Sequence, residues 1–156
     1  MTYFEEQLIQ IRNSTYGSAD RDYLFGHVMR AKKFIETHFA EEINIDQIAG
    51  EACFSKYHFI RLFKAIYYQT PHQYLMAVRI EKARQLLREG RSVKEACYLV
   101  GFTSLGSFKA LFKRQTKQTA IVYKELSARR QTFSRHSAPR LLQYFVWQKS
   151  NFQDPK

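Results

Sequence analysis

The sequence is poor in residues that break helices and in residues that cross-link a chain. Of its 156 residues, 6 are glycine, 3 are proline and 2 are cysteine. Scarce Gly and Pro, without sustained alternation of apolar and polar residues, disfavour a β-sheet and favour helices. Cys53 and Cys97 are too few for a disulfide framework or a four-cysteine zinc site and indicate a reducing compartment. We expect both to be small buried residues rather than a redox pair.

Long apolar runs are also missing. No stretch approaches the roughly 20 apolar residues that a membrane helix needs, and Glu5 and Glu6 stand where a signal peptide carries positive charge. We therefore expect a soluble, cytoplasmic protein with no membrane partner. No β-rich domain precedes the helical pattern, so no small-molecule effector site is evident, and we expect the chain to be either a stand-alone protein or a fragment. Five histidines show no metal spacing, so we predict no metal and no cofactor.

Acidic residues are outnumbered by basic ones. The 25 Lys and Arg against 14 Asp and Glu give a formal net charge of +11. Residues 22–126 carry 17 basic and 10 acidic side chains, and residues 127–156 carry six and one. Basic side chains that neutralise phosphates release counterions, which favours a polyanionic partner. Charge by itself does not choose among DNA, RNA and anionic lipid.

One long helix is predicted from Thr70 to Gly90. Thr70 and Gln73 can form a capping box, Pro71 suits the first helical position and Gly90 suits a left-handed end. Residues 71–89 would span roughly 27 Å at about 1.5 Å per residue. The apolar stripe of this helix consists of Met76, Ile80, Ala83 and Leu87.

The segments on either side of this helix repeat one pattern. A short amphipathic helix, capped by Asn44 or by Ser92 with Glu95, occurs twice at a shift of 48 residues. Each short helix ends at a turn, and a new cap follows, Ser55 in the first copy and Thr103 in the second. A second helix then begins, and the two second helices are related by a shift of 49 residues. The repeated apolar residues are Ile45, Ile48, Ala49, Ala52, Phe59, Leu62 and Phe63, then Val93, Ala96, Cys97, Val100, Phe108, Leu111 and Phe112.

A short helix, a tight turn and a second helix packed across it are typical of a helix-turn-helix. We therefore predict an all-α fold of about seven helices, with two homeodomain-like helix-turn-helix subdomains joined by a linker helix. The predicted parts are an N-terminal arm (1–21), a first lobe (22–69), the linker helix (70–90), a second lobe (91–126) and a basic, aromatic extension (127–156). The linker length would let both second helices enter successive major grooves of DNA.

These residues resemble the paired helix-turn-helix domain of the AraC/XylS family of bacterial transcription regulators. Phe54 to Lys64 is similar to the family's first recognition segment. Gly101-Phe102 with Leu111-Phe112-Lys113 and Tyr123 is similar to its second signature, and the resemblance covers about residues 23–126, with a leading helix over about 22–39. The sequence departs from the family where turn Gly or Pro is usual, at Cys53, Tyr68, Lys117 and Ala120.

Recognition helices contact DNA mainly through N-terminal positions on the face opposite the core. In the first lobe that face offers Lys56, Tyr57, Ile60, Arg61 and Lys64, of which Tyr57, Ile60 and Arg61 match base-contacting positions by resemblance. We expect Arg61 to bind guanine directly. In the second lobe the resemblance assigns Leu105, Gly106, Ser107 and Lys109 to the groove. Because few of them can make directional hydrogen bonds, we expect this lobe to recognise DNA shape and thymine methyls, the latter through Leu105, with close approach at Gly106. Core packing of Leu105 is the alternative. The expected phosphate contacts are Lys56, Lys64, Lys113, Arg114 and Lys117.

The sequence thus predicts a double-stranded DNA-binding transcription regulator, an activator in our interpretation, and not an enzyme. A non-specific architectural DNA-binding protein is one alternative, since the second recognition helix has few hydrogen-bonding side chains. A DNA-repair alkyl-transfer protein is another, although neither cysteine lies in a reactive motif. We expect a monomer on DNA or a weak homodimer. The extension packs on the domain or forms a partner surface, for a second copy or for RNA polymerase.

Overall fold

A computed structural model describes residues 18–130 of the chain, with side chains from residue 23 onward. This range contains seven helices and no strand, which confirms the predicted all-α fold. They are α1 (Ser18–His38), α2 (Ile45–Glu51), α3 (Lys56–Tyr67), α4 (Pro71–Arg88), α5 (Val93–Leu99), α6 (Leu105–Thr116) and α7 (120–130). The leading helix already includes Ser18, the first described residue, and so extends further toward the N-terminus than the predicted start near Asp22. Residues 1–17 and most of the extension, 131–156, lie outside the described range. Within residues 18–130, no helix combines the length and the apolar character needed to cross a bilayer.

Local hydrogen bonds set most helix starts as predicted. Asn44, Thr70 and Ser92 each form a capping box, with the side chain of the third helical residue returning a bond to the cap. Two expectations need correction. Helix α6 is capped by Ser104, whose Oγ accepts from the backbone N of Ser107 at 3.4 Å, and not by Thr103. Ser55 occupies the cap position of α3, but its side chain makes no capping bond.

Two separate apolar cores hold the helices together. The first contains Ile35, Phe59 and Phe63 with residues of α2, and the second contains Leu87, Phe108 and Phe112 with residues of α5. Helix α4 contributes Leu75 to the first core and Ile80, Ala83 and Leu87 to the second. The linker helix is therefore also the first helix of the second core, which makes each lobe a three-helix unit.

The aromatic contacts repeat with the sequence. Phe59 and Phe63 lie 5.5 Å apart by ring centroids, and Phe108 and Phe112 lie 5.7 Å apart. Tyr74 meets Phe63 edge-on at 5.6 Å, and Tyr123 meets Phe112 edge-on at the same distance. Since Tyr74 is on α4 and Tyr123 is on α7, α7 stands against the second lobe as α4 stands against the first.

The positions where the chain departs from the family's glycines adopt left-handed backbone conformations. Cys53, Tyr68 and Lys117 have φ of 54°, 53° and 62°, and Gly101, which matches Cys53 in the second copy, has φ of 86°. A non-glycine residue in this region costs about 1–2 kcal/mol. The chain therefore keeps the turn geometry of the fold with residues that suit it poorly.

Arg79 of the linker helix ties the two lobes together. Its Nε donates to the carbonyl oxygen of Phe39 at 2.7 Å and its Nη2 to that of Glu41 at 2.8 Å, and both acceptors lie just past the end of α1. The guanidinium also lies over the ring of Phe102 in the second lobe, 5.7 Å from its centroid. Burial lowers the pKa of Arg79 from its ordinary value. One side chain thus satisfies two carbonyls of the first lobe while it packs on the second.

The two cysteines differ in environment, which corrects the expectation that both are buried. Cys97 is buried in the second core, whereas Cys53 is exposed at the turn between α2 and α3. His27 is a buried polar residue near this turn, and its Nδ1 lies within hydrogen-bond distance, 2.9 Å, of the carbonyl oxygen of Ala52. Among residues 18–130, no group of His, Cys, Asp or Glu is arranged to hold a metal ion.

Candidate nucleic-acid interface

Helix α3 presents a clear division between a buried and an exposed face. Phe59, Phe63 and Ile66 are buried in the first core. Tyr57, Arg61 and Lys64, which the sequence placed on the opposite face, are all exposed, and Tyr57 keeps 78% of its surface. An aromatic ring and a guanidinium near the start of an exposed helix face can stack on and hydrogen-bond to bases.

The other two predicted residues of α3 have partners inside the protein. The Nζ atom of Lys56 forms an ion pair with Oδ2 of Asp46 at 3.1 Å, so a phosphate would have to compete with this carboxylate. Ile60 is half-buried and lines an open apolar groove of about 390 Å³ with Ile45 and Ile48 of α2. Both residues remain at the surface, but they are less accessible than the sequence pattern implied.

Helix α6 is built in the same way. Phe108 and Phe112 are buried, and the exposed face carries Gly106, Ser107, Lys109, Lys113 and Arg114. Leu105 is half-buried and packs against the second core, as the core alternative predicted. Only the exposed part of the Leu105 side chain can therefore contact a thymine methyl group.

The exposed cations of both helices are not neutralised by the protein. In the described part of the chain, no ion pair involves Arg61, Lys64, Lys109, Lys113 or Arg114. Lys117, which follows α6, is also exposed and makes no ion pair there. Exposed, unpaired cations on two equivalent helices suit the neutralisation of a phosphate backbone.

The backbone around Gly106 shows no internal reason for glycine. The residue is inside α6, and a Cβ atom there would meet only the Oγ of Ser104, at an ordinary 3.7 Å. Glycine inside a helix costs about 1 kcal/mol relative to alanine. The space needed by a side chain is therefore available within the protein, and any constraint on this position comes from outside it.

The thiols offer little for group-transfer chemistry. Burial raises the pKa of the Cys97 thiol, which disfavours the reactive thiolate. Cys53 is exposed but lies at a turn between two short helices, and the described residues around it do not form a metal site. These environments give no support to an alkyl-transfer site.

Sequence reasoning missed Asp46 and Arg79. Asp46 belongs to α2, and its pairing with Lys56 depends on the angle at which α2 and α3 cross. Arg79 stands among the apolar residues of α4, where the only signal was a charged residue close to the buried stripe. Both act by contacts between elements, which periodicity does not report.

Comparison with protein families and known proteins gives a consistent picture. A family described as a helix-turn-helix domain matches residues 48–126, half of the chain. A transcriptional activator, RhaS of Salmonella arizonae, is 34% identical over 115 residues, which are 72% of this chain and 40% of that protein. An uncharacterized helix-turn-helix regulator of Pseudoalteromonas carrageenovora is 33% identical over 97 residues, 62% of this chain and 58% of that protein. The chain thus spans well under two thirds of the length of these relatives.

Solved structures match about two thirds of the chain. The DNA-binding domain of AdpA, a global transcriptional factor crystallised with a target DNA, superposes with a TM-score of 0.63 at 25% identity, covering 66% of this chain and 94% of that one. A dual transcriptional regulator of Escherichia coli K-12 gives a TM-score of 0.60 at 25% identity, covering 66% and 93%. Each of these matches covers nearly the whole of the neighbour.

Proposed function

Because this chain belongs to the AraC/XylS-type helix-turn-helix family, we propose that it regulates transcription by sequence-specific binding to double-stranded DNA. The observation that carries the proposal is the repeated exposed face of α3 and α6. These faces lie on equivalent helices, each backed by an equivalent pair of buried phenylalanines in a tilted arrangement, and both carry cations without an ion pair among the described residues. The lobes are joined by a helix that both cores share, so the two faces are held in a defined relation.

In the first lobe, Arg61 and Tyr57 are the proposed base-contacting residues. Both are exposed on α3, and a guanidinium can bind guanine O6 and N7 with two hydrogen bonds. Ile60 would add apolar contact from its exposed part. Lys64 and Lys56 would contact phosphates, with Lys56 first giving up its pair with Asp46.

In the second lobe, the proposed groove residues are Gly106, Ser107 and Lys109, with a minor role for Leu105. The first two offer little directional hydrogen bonding, so we propose that this lobe depends more on DNA shape than the first does. Lys113, Arg114 and Lys117 would hold the backbone phosphates. The lobes would then contribute unequally to specificity.

Selection on randomised double-stranded DNA tests this proposal. The full-length protein is incubated with a random library, and the bound pool is sequenced. Two short motifs about one helical turn apart are expected, with the stronger hydrogen-bonding preference under the first lobe. A pool that is not enriched over the input, despite tight and salt-sensitive binding, would instead support an architectural DNA-binding protein, the second candidate function.

Two exposed cations of α3 provide a matched pair of variants. Arg61→Ala is expected to relax the preference at one or two base positions, by about 1–3 kcal/mol of discrimination. Lys64→Ala removes a cation from the same helix and is expected to weaken binding uniformly across sequences. If Arg61→Ala also weakened all sequences equally, direct base contact by this residue would be excluded.

We further propose that the protein acts as an activator without enzymatic activity, and that it binds DNA as a monomer. The relative RhaS is described as an activator, and two lobes allow one chain to contact a non-palindromic site. Contact with RNA polymerase would follow from activation. Sedimentation of the complex with the selected DNA tests the stoichiometry, and two chains per site would establish a homodimer. Transcription in vitro from a promoter with the selected site tests activation.

A further inference from the structure

A cleft on the second lobe carries three arginines that are not among the proposed DNA-contacting residues. It lies between α4, the turn after α6 and α7, and has a volume of about 390 Å³. We call it the arginine cleft, after the residues that define it: Arg84, Arg88, Thr116, Gln118, Tyr123 and Arg130.

The arginine cleft is positively charged after its internal ion pairs are counted. Arg84 bonds Glu81 through Nη1, and Nη2 of Arg88 lies 3.6 Å from the same carboxylate. Among the residues that line the cleft, three carry a guanidinium group and none is acidic, so the arginines outnumber the single Glu81 carboxylate beside them. A positive charge in a concave site attracts anions more strongly than the same charge on a convex surface.

The cleft is also rich in hydrogen-bond donors. The phenolic oxygen of Tyr123 accepts from Nε of Arg84 and from Nη1 of Arg88, at 3.3 Å each. Arg84 donates to Tyr123 through Nε and to Glu81 through Nη1, whereas a guanidinium has five N–H donors. Guanidinium groups that are held in place by a tyrosine and a glutamate are suited to bind a tetrahedral oxyanion.

The first lobe offers an internal comparison, because its equivalent positions are built differently. Glu36 stands where the second lobe has Arg84, and Ala40 stands where it has Arg88, at a shift of 48 residues. Tyr74, the equivalent of Tyr123, donates its O–H to Glu36 instead of accepting from arginine. The charge at this place is therefore reversed between the lobes.

The space beside the equivalent tyrosines, Tyr74 and Tyr123, also differs between the lobes. Tyr67 of the first lobe stacks on Tyr74 with ring centroids 5.9 Å apart. The residue that matches Tyr67 in the second lobe is Thr116, which lines the cleft. Because Thr116 is smaller than Tyr67, the space beside Tyr123 stays open, whereas the ring of Tyr67 fills the equivalent space beside Tyr74 in the first lobe. The repeat thus shows a local specialisation that the fold itself does not require.

The cleft lies away from the predicted base-reading residues. Thr116 is the last residue of α6, and Leu105 is the first. At about 1.5 Å per residue, roughly 16 Å of helix separates them. The phosphate contacts proposed above need none of Arg84, Arg88 and Arg130.

We propose that the arginine cleft binds the phosphate group of a small phosphate monoester. Three guanidinium groups match the charge and geometry of a phosphate dianion. The cleft volume falls in the range of about 300–1,000 Å³ that is usual for organic ligands, so it accommodates more than a bare ion. This ligand does not depend on the proposed function in transcription.

Nuclear magnetic resonance of the full-length protein tests the proposal. The ¹⁵N-labelled protein is titrated with glycerol 3-phosphate and with inorganic phosphate, while chloride keeps the ionic strength constant. Saturable shifts of the Nε–Hε signals of Arg84 and Arg88 are expected for both, with tighter binding of the ester. Shifts that grow linearly with ligand concentration, or that affect all arginines alike, would indicate non-specific ion screening and overturn the proposal.

Charge variants at the cleft should change the affinity in both directions. Arg88→Gln and Arg130→Gln are each expected to weaken phosphate binding about tenfold, through the loss of charge-assisted hydrogen bonds. Glu81→Gln removes the competing acid and is expected to tighten binding severalfold. Lys94→Gln, an exposed cation on α5, is the control and should leave the affinity unchanged. Equal effects of the control and the cleft variants, with thermal melting showing intact folds, would overturn the proposal.

A DNA competition separates a free phosphate ester from a DNA backbone phosphate. Duplex DNA of the selected sequence should leave the ester bound, and Arg88→Gln should bind that duplex as the unchanged protein does. If the duplex displaces the ester and Arg88→Gln weakens both ligands by the same factor, the cleft holds DNA and the small-ligand proposal is wrong. If the ester binds but selection yields no DNA motif, the proposed function fails while the cleft remains.

Discussion

Gly101 lies directly against the backbone of Ala40. A Cβ atom on Gly101 would stand 2.5 Å from the carbonyl oxygen of Ala40 and 2.9 Å from its carbonyl carbon, and the residue has φ of 86°. Gly101 forms the turn of the second lobe, whereas Ala40 follows the first helix of the first lobe. The missing side chain therefore lets the two lobes approach, in addition to allowing the turn.

Substitutions at the two equivalent turn residues, Gly101 and Cys53, should change the free energy of unfolding in opposite directions. Gly101→Ala is expected to lower the free energy of unfolding by at least about 2 kcal/mol, through the left-handed φ and the clash with Ala40. Cys53→Gly, at the equivalent turn, is expected to raise it by up to about 1 kcal/mol, because Cys53 has φ of 54°. Urea denaturation measures both. Cys53→Ala is the control, since it keeps the strained φ, and a gain as large as that of glycine would refute the strain.

Removing the Arg79 guanidinium should both destabilise the protein and loosen the lobes. Arg79→Met leaves the carbonyl oxygens of Phe39 and Glu41 without their donor, at an expected cost of about 2–3 kcal/mol. Binding to DNA with both half-sites should suffer more than binding to a single half-site, because the cores would no longer be held together. Thermal denaturation and fluorescence anisotropy with the two DNA probes check this. Equal losses on both probes would mean that Arg79 affects stability alone.

Adding a methyl group at Gly106 should separate stability from DNA binding. Gly106→Ala has space within the protein and is expected to raise the free energy of unfolding by about 1 kcal/mol. The same variant should bind selected DNA more weakly if the α6 backbone approaches the duplex closely. Denaturation and anisotropy measure the two effects. A more stable variant with unchanged affinity would show that Gly106 has no role at the interface.

Releasing Lys56 from its ion pair should strengthen DNA binding. Asp46→Asn removes the carboxylate that lies 3.1 Å from the Lys56 amine, so that amine can neutralise a phosphate without competition. Affinity is expected to rise severalfold at low salt, and the salt dependence should steepen by up to about one counterion. Since Asp46 and Lys56 are both exposed to solvent, stability should change by less than about 1 kcal/mol. In a Lys56→Gln background, Asp46→Asn should give a smaller gain, and an equal gain would mean that Asp46 acts on the DNA directly.

The Glu36 carboxylate should make the first lobe sensitive to acid. Partial burial raises the pKa of Glu36, but hydrogen bonds from Lys32 and Tyr74 and the charges of Lys32 and Lys82 outweigh it, so the pKa lies below its ordinary value of 4.5. A carboxyl group with a lowered folded-state pKa stabilises the fold above 4.5, and that contribution is lost as the pH falls through the folded-state pKa.

Glu36→Gln should therefore flatten the loss of stability between neutral pH and pH 3, as measured by urea denaturation at each pH. Glu51→Gln is the control, because Glu51 is exposed and has no ion pair among the described residues. The same flattening in both variants would attribute the acid sensitivity to net charge rather than to the contacts of Glu36.

Much of the fold could be predicted because its signals are local. The capping boxes at Thr70 and Ser92 involve residues three positions apart, and the buried phenylalanines of α3 and α6 recur every four residues. Such interactions are settled within one or two helical turns, so periodicity and cap residues report them directly. The cap predicted for α6, Thr103, lies one residue before the observed cap, Ser104, because two adjacent hydroxyl residues can both cap a helix.

The candidate interface could be predicted only in part. The exposed face of α3 followed from the spacing of Phe59 and Phe63, but the spacing does not distinguish a solvent-facing residue from one at the edge of a neighbouring helix. Lys56 and Leu105 are both edge residues of that kind: one pairs with α2 and the other packs on the second core.

By itself, the sequence of this protein determined the order of the helices, their caps, the two repeated lobes and the positive charge. Each of these depends on residues that are close along the chain or on composition. Only the tertiary structure decided that Arg79 and Gly101 join the lobes, that Asp46 pairs with Lys56, and that Arg130 lines the same cleft as Arg84 and Arg88. These partners are between 10 and 61 residues apart, and their contact depends on how the helices pack, which no local pattern encodes.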